Sequence, residues 1–158
     1  VSTRLAGARA LAEPLTVSEA QALPRLQVVA AVLRDARGRV LIAQRPPGKH
    51  MSGYWEFPGG KRAPEEAAEQ ALQRELLEEL GVELTGCHPL LELRHDYPDR
   101  LVELQVFVAD GYHGEPHGRE GQALKWVAVE QLAEEGLLPA DRPITAALLA
   151  AAHRHIVR

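Results

Sequence analysis

The chain is poor in several things, and each shortage narrows what it can be. Among 158 residues there is one cysteine, Cys87, so no internal disulfide is possible. A buried thiol in a reducing compartment fits that usage, and a cysteine nucleophile does not. Aromatic residues make up 4%, and Trp126 reads as core rather than as a base-stacking platform. No apolar run approaches the ~20 residues a membrane helix needs. No hydrophobic segment near the first residue resembles a secretory signal. Basic residues are not in excess: the formal net charge is −4, which argues against a surface that coats nucleic acid. It does not argue against one nucleotide held through metal ions. The expected setting is cytoplasmic, with no membrane and no nucleic-acid polymer as partner, and a monomer is the expected state.

Apolar residues are plentiful at 46%, enough for one domain around a single core. Residues 1–24 precede the first clear strand and read as an extension, with Thr16 or Ser18 capping a short helix. Arg4 and Arg9 faintly resemble a targeting composition, and a non-catalytic extension is the preferred reading. Residues 26–33 are almost continuously apolar, as for a strand covered on both faces. A turn over 35–38 leads to a returning strand over 39–44. Pro46, Pro47 and Gly48 break it, and a loop reaches Tyr54 to Phe57. A strand is expected over 82–93, a turn within 95–100, a strand over 101–109 and a loop over 111–122. A last strand over 123–127, a short helix over 129–135, a rigid loop over 138–143 and a closing helix over 144–156 complete the pattern. Strands mixed with two main helices fit an α/β/α sandwich around a mixed sheet.

The most informative stretch is residues 60–82, GKRAPEEAAEQALQRELLEELGV. Most of it is expected to be helical, with Pro64 in the first turn, Glu65 and Glu66 near the positive end, and Gly81 as the stop. Ala68, Leu72, Leu76 and Leu80 form an i, i+4 apolar stripe. Glu75, Glu78 and Glu79 fall at i, i+3 and i+4, so their carboxylates share a neighbouring face. Taken alone, three glutamates are read as a solvated acidic face. Hard divalent cations such as Mg²⁺ also suit such an oxygen cluster. The full spacing decides between these. Gly60, Glu66, Arg74, Glu75, Glu78, Glu79 and Gly81 would occur in this register by chance about once in 10⁸ windows.

The stretch resembles the Nudix box, the signature of hydrolases acting on a nucleoside diphosphate linked to another group. The resemblance implies the same α/β/α sandwich, with a hydrolase domain over 25–158. It implies that Glu75, Glu78 and Glu79 bind Mg²⁺, with Mn²⁺ as the alternative, and that Glu75 also takes a proton from the attacking water. The carbonyl of Gly59 completes a metal shell, Arg74 orients a carboxylate, and Glu66 either supports these groups or is an N-terminal dipole partner.

Similarity continues outside the box. Residues 43–45, His50-Met51, the run Trp55-Glu56-Phe57-Pro58-Gly59-Gly60-Lys61, Tyr97 to Arg100, and residues 114–122 look like the MutT branch, diphosphatases that remove 8-oxo-dGTP from the nucleotide pool before it enters DNA. The match implies a nucleoside triphosphate substrate. Arg45 contacts it, His50 borders it, Phe57 lines the base pocket, and Glu120 swings in as a further metal ligand or base. Glu56, Pro58 and Lys61 join the substrate-binding set by the same match. Asp141 departs from the pattern, because MutT enzymes commonly carry Asn there. An amide donates to O6 of 8-oxoguanine and accepts from N7–H, whereas an ionised Asp only accepts. Asp at this place also resembles CTP and modified-dCTP pyrophosphohydrolases. Oxidised guanine is the leading substrate and cytosine nucleotides the alternative. A Nudix fold that binds a nucleotide without turnover is a further alternative.

Overall fold

The structure, a computed structural model, describes residues 23–156; the expected extension and its capped helix lie outside them except for its last two residues. The apolar run becomes β1 (Arg25–Val32), whose last four residues are buried. Side chains alternate across a strand, so Val29 and Ala31 enter one apolar cluster while Ala30 and Val32 enter another. That is why this strand had to be apolar on both faces.

β4 (Gly59–Lys61) pairs antiparallel with one edge of β1, and β6 (Arg100–His113) runs parallel to it on the other, from Arg25 opposite Leu101 to Val32 opposite Val108. β5 (Glu83–Tyr97) lies antiparallel on β6. The order β4-β1-β6-β5 is therefore a mixed sheet. A second, antiparallel sheet has the order β3-β2-β7, built from β2 (Val40–Gln44), β3 (Trp55–Glu56) and β7 (Leu124–Val127).

Helix α1 (Ala68–Leu80) buries Ala71, Leu72, Leu76 and Leu80 against Val29, Ala31 and Phe107. Helix α2 (Arg142–Ile156) buries Ile144 and Leu148 in the other cluster, with Ala30, Val32 and Val106. The layers are helix, sheet, helix, as expected.

Several boundaries differ from the sequence reading. α1 starts at Ala68 rather than near Pro64, because residue 67 is extended and Glu66 is held in the preceding turn by its N–H on the Ala63 carbonyl at 3.1 Å. Glu66 is therefore not an N-terminal helix residue. The C-terminal stop is where it was expected: Gly81 has φ 68° and its N–H reaches the Leu77 carbonyl at 3.1 Å. The β5–β6 hairpin is longer than its alternation indicated. β5 continues through His95 to Tyr97, so only Pro98 and Asp99 turn. β6 runs on through Gly111 to His113, within the segment read as loop. Irregular register near Gly86 and between Pro89 and Leu91 breaks the period that sequence reading relies on. Residues 129–134 and 139–141 are 3-10 turns rather than a helix and a plain loop, and α2 begins two residues early at Arg142.

Candidate active site

The site begins where α1 crosses β4. Gly59 and Gly60 have no room for a side chain. A Cβ on Gly59 would stand 2.8 Å from the Ala30 Cα, and one on Gly60 would overlap the Glu75 carboxylate. The absence of Cβ atoms thus lets the helix carboxylates lie directly over the strand. The Gly59 N–H points to Glu79 Oε2 at 3.4 Å, and the Pro58 carbonyl accepts from Ala31 N–H at 2.9 Å.

Arg74 fixes the glutamates. Its Nε and Nη2 each donate to one Glu66 oxygen at 2.8 Å, a forked pair, and Nη2 also reaches the Lys61 carbonyl at 3.0 Å. Its Nη1 donates to Glu75 Oε1 at 3.0 Å and to Glu78 Oε2 at 3.4 Å. The Arg74 bonds, followed by the Ala63 N–H, hold the Glu66 carboxyl down at about 2. Glu66 and Arg74 do not line the cleft. They act through Glu75, whose Oε2 has no hydrogen-bond partner among the described residues.

Negative charge is in surplus over α1. Burial, and then the charges of Glu75, Glu56 and Glu120, push Glu79 up to about 8. Burial also raises Glu75, against the pull of Arg74. Burial raises Glu56, which Arg45 partly offsets through a 3.0 Å ion pair. Such a surplus, composed only of oxygen donors, is what a hard divalent cation relieves, so the residues fit the metal the sequence implied. They are not gathered into a finished coordination shell: among the described residues no three acidic, histidine or cysteine side chains converge that closely. Two pairings show why. Arg74 draws Glu78 aside, and Glu120 faces Lys49 across the cleft mouth at 3.8 Å.

The backbone carrying Glu120 is docked on the C-terminal end of α1. His117 N–H bonds the Leu80 carbonyl, and Arg119 N–H and Gln122 Nε2 both bond the Glu79 carbonyl. The Arg119 guanidinium reaches the Leu77 carbonyl at 3.0 Å. These donors satisfy carbonyls that a helix end leaves open.

A cleft of about 660 Å³ runs from these carboxylates to a largely apolar end, the size of a small-molecule site. Val28, Val102, Leu104 and Leu138 supply apolar lining, with buried Phe57 beside them. The Phe57 N–H donates to Asp141 Oδ2 at 2.9 Å. Asp141 is buried, and burial pushes it up to about 7 despite that bond. Arg45 lines the cleft but is already engaged: besides Glu56, its Nε donates to the His50 carbonyl at 2.6 Å. His50 lies edge-on to Tyr97, and its buried Nε2 has no partner among the described residues. Lys61 sits exposed at the end of β4, also on the cleft wall.

All the sequence-derived site residues except Glu66, Arg74 and Pro58 therefore line one cavity, and these three brace its walls. The sequence reading assigned no role to Lys49, Tyr97 or Arg100, which line it too. Only the Tyr97–Arg100 stretch carried a signal: it was read as a turn and as part of the MutT resemblance, with no role given to its side chains.

A family description, NUDIX domain, matches residues 29–147. The chain belongs to the NUDIX domain family. Nudix hydrolases depend on divalent metal ions, which agrees with the carboxylate surplus over α1. The CTP pyrophosphohydrolase of Escherichia coli K12 is 38% identical over 125 residues, spanning 79% of this chain and 92% of that protein. The 8-oxo-dGTP diphosphatase of Proteus vulgaris is 44% identical over 97 residues, 61% of this chain and 87% of that one. A solved MutT structure, from work on Aliivibrio salmonicida and Vibrio cholerae, superimposes with a TM-score of 0.70 at 33% identity, covering 80% of this chain and 98% of that one. This Nudix hydrolase therefore has relatives that include diphosphatases for two different bases.

Proposed function

We propose that this Nudix hydrolase converts nucleoside triphosphates to nucleoside monophosphate and pyrophosphate with Mg²⁺, and that 8-oxo-dGTP is its preferred substrate. One observation carries the reading: a single cleft joins the half-buried Glu75 and Glu79 and the exposed Glu78 of α1 to apolar side chains beside Phe57 and Asp141. The phosphates belong at the first end and the base at the second.

Glu75, Glu78 and Glu79 would hold the metal, with the Gly59 carbonyl and Glu120 as further oxygen donors. Mg²⁺ there would supply neutralisation of phosphate charge and a lower pKa for a coordinated water. The rest falls to the chain. Glu75, oriented by Arg74 and raised above the ordinary carboxylate range by burial, accepts the proton of the attacking water on its free oxygen. The water oxygen bonds to the β-phosphorus as the bridge to the α-phosphate breaks, so the nucleoside monophosphate leaves and pyrophosphate forms. Arg45 and Lys61 flank the substrate, Glu56 fixes Arg45, and Pro58 fixes the strand that carries Gly59. His50 and Phe57 enclose the base, and Asp141 reads its edge.

A panel of 8-oxo-dGTP, dGTP and dCTP with Mg²⁺, scored for pyrophosphate against orthophosphate, tests this. Pyrophosphate and the highest kcat/KM on 8-oxo-dGTP are expected; orthophosphate as the product would refute the reaction. Cytosine nucleotides are the second reading, favoured by Asp141 itself, whose oxygen accepts from an exocyclic amine. A higher kcat/KM for dCTP would select it. Glu78→Gln separates an enzyme from a bystander acidic helix: turnover is expected to drop by orders of magnitude while the fold persists.

A further inference from the structure

Asp141 covers only half of what a base edge presents. Its Oδ2 is committed to the Phe57 N–H, which leaves Oδ1 for a ligand. Above about pH 7, where it is ionised, the Asp141 carboxyl accepts hydrogen bonds and donates none. Oxidised guanine offers N7–H beside O6, and cytosine offers its amine beside N3. In each case the donor that suits Asp141 has an acceptor next to it. A pocket built on Asp141 alone would desolvate that acceptor without a partner.

Tyr97 stands in the right place to supply one. It is 8% exposed and lines the same cleft. Its oxygen accepts the Ala140 N–H at 3.2 Å, one residue before Asp141. A phenol that accepts still has its own proton to give, and among the described residues this one has no acceptor. The ring is held edge-on by His50 and His95, at centroid distances of 5.7 and 4.4 Å. Rotation of such a ring leaves its oxygen on the axis, so the hydroxyl stays on the Ala140 N–H, one residue before Asp141, whichever way the ring turns.

We propose that Tyr97 is a base-reading residue: its hydroxyl donates to the acceptor of the base while Asp141 Oδ1 accepts from the adjoining N–H. For oxidised guanine these are O6 and N7–H. The inference rests on the cleft being the nucleotide site described above and adds the donor that the Asp141 departure removes.

Tyr97→Phe keeps the ring and deletes the hydroxyl. Calorimetry gives the Kd of parent and variant for 8-oxo-dGMP and for the analogue with hydrogen in place of O6, the 8-oxo-2-aminopurine nucleotide. The parent is expected to prefer 8-oxo-dGMP by about tenfold, and the variant to lose that preference. The variant also strips the Ala140 N–H of its partner, so some weakening common to both ligands is expected. A residue that only braced the turn would weaken both by the same factor. An unchanged ratio therefore overturns the proposal. If the parent binds neither guanine ligand, the oxidised-guanine reading fails, and the comparison moves to dCMP and 3-deaza-dCMP, whose N3 is replaced by C–H. Loss of discrimination in Tyr97→Phe on that pair upholds the role of Tyr97; a retained ratio, or no discrimination by the parent on either pair, overturns it.

Discussion

At the scale of single residues, Asp141 concentrates the most consequence in the fewest atoms. Its carboxyl ionises near neutrality because burial penalises the charge more than the Phe57 N–H rewards it. A folded pKa above the unfolded one means that the native state holds the proton more tightly. Stability from this group is full in acid and is lost as pH rises from about 4 through about 7. Asp141→Asn, which stays neutral, is expected to leave melting unchanged near pH 4 and to stabilise the protein at pH 8, by at most about 4 kcal/mol. Thermal melts across that range check it; equal shifts at both ends would mean that ionisation of the buried carboxyl is not the cause. The same substitution is expected to move preference towards 8-oxoguanine in the nucleotide panel. The sequence exposed Asp141 because it departed from a pattern. It placed Tyr97 in a matched stretch but gave its hydroxyl no role, because the partner Ala140 lies 43 positions away.

At the scale of elements, α1 was the most legible part of the chain. Its stripe of Leu72, Leu76 and Leu80 follows the helical period and is fully buried. Its start was misplaced because the fork from Arg74 and a turn bond from the Ala63 N–H, rather than helix propensity, decide the conformation of Glu66. The chain Glu66–Arg74–Glu75 makes a prediction about coupling. Arg74→Ala and Glu66→Ala are each expected to lower kcat/KM by about 10–100-fold, the usual range for residues that orient metal ligands. The double variant is expected to be no worse than the poorer single one. Multiplying losses in a double-mutant cycle would show that the two act separately. The other end of the helix is tested through stability. Gly81→Ala forces a side chain into left-handed backbone at φ 68° and brings its Cβ to 2.5 Å from His117 Cε1. Urea unfolding is expected to show a loss of about 1–2 kcal/mol.

For the whole molecule, β1 is the spine: helices pack on its two faces, and β4 and β6 pair with its two edges. The sandwich was readable because that strand is apolar on both faces and the helical periods are clean. Its division into two sheets was not, since the sheet to which a strand belongs depends on pairing between distant segments. The length of the β5–β6 hairpin was obscured by its bulges. The charge surplus over α1 also acts globally. Metal-free protein is expected to lose stability as pH rises through about 8, where Glu79 gives up its proton among other carboxylates. Mg²⁺ is therefore expected to raise Tm more at pH 8.5 than at pH 6, with stabilisation approaching about 2.7 kcal/mol at a hundredfold excess over its Kd. Scanning calorimetry with and without chelator checks both; a Mg²⁺ effect independent of pH would detach the metal from Glu79.

Residues 114–122 cover the last carbonyls of α1, so the stretch bearing Glu120 and the helix bearing Glu75, Glu78 and Glu79 form one mechanical piece. Anyone transplanting this box into another scaffold would have to carry both segments, though they are separated in the chain by the whole β5–β6 hairpin. Shortening that hairpin at its distal tip, by contrast, would spare those two segments while removing Tyr97 and Arg100 from the cleft wall.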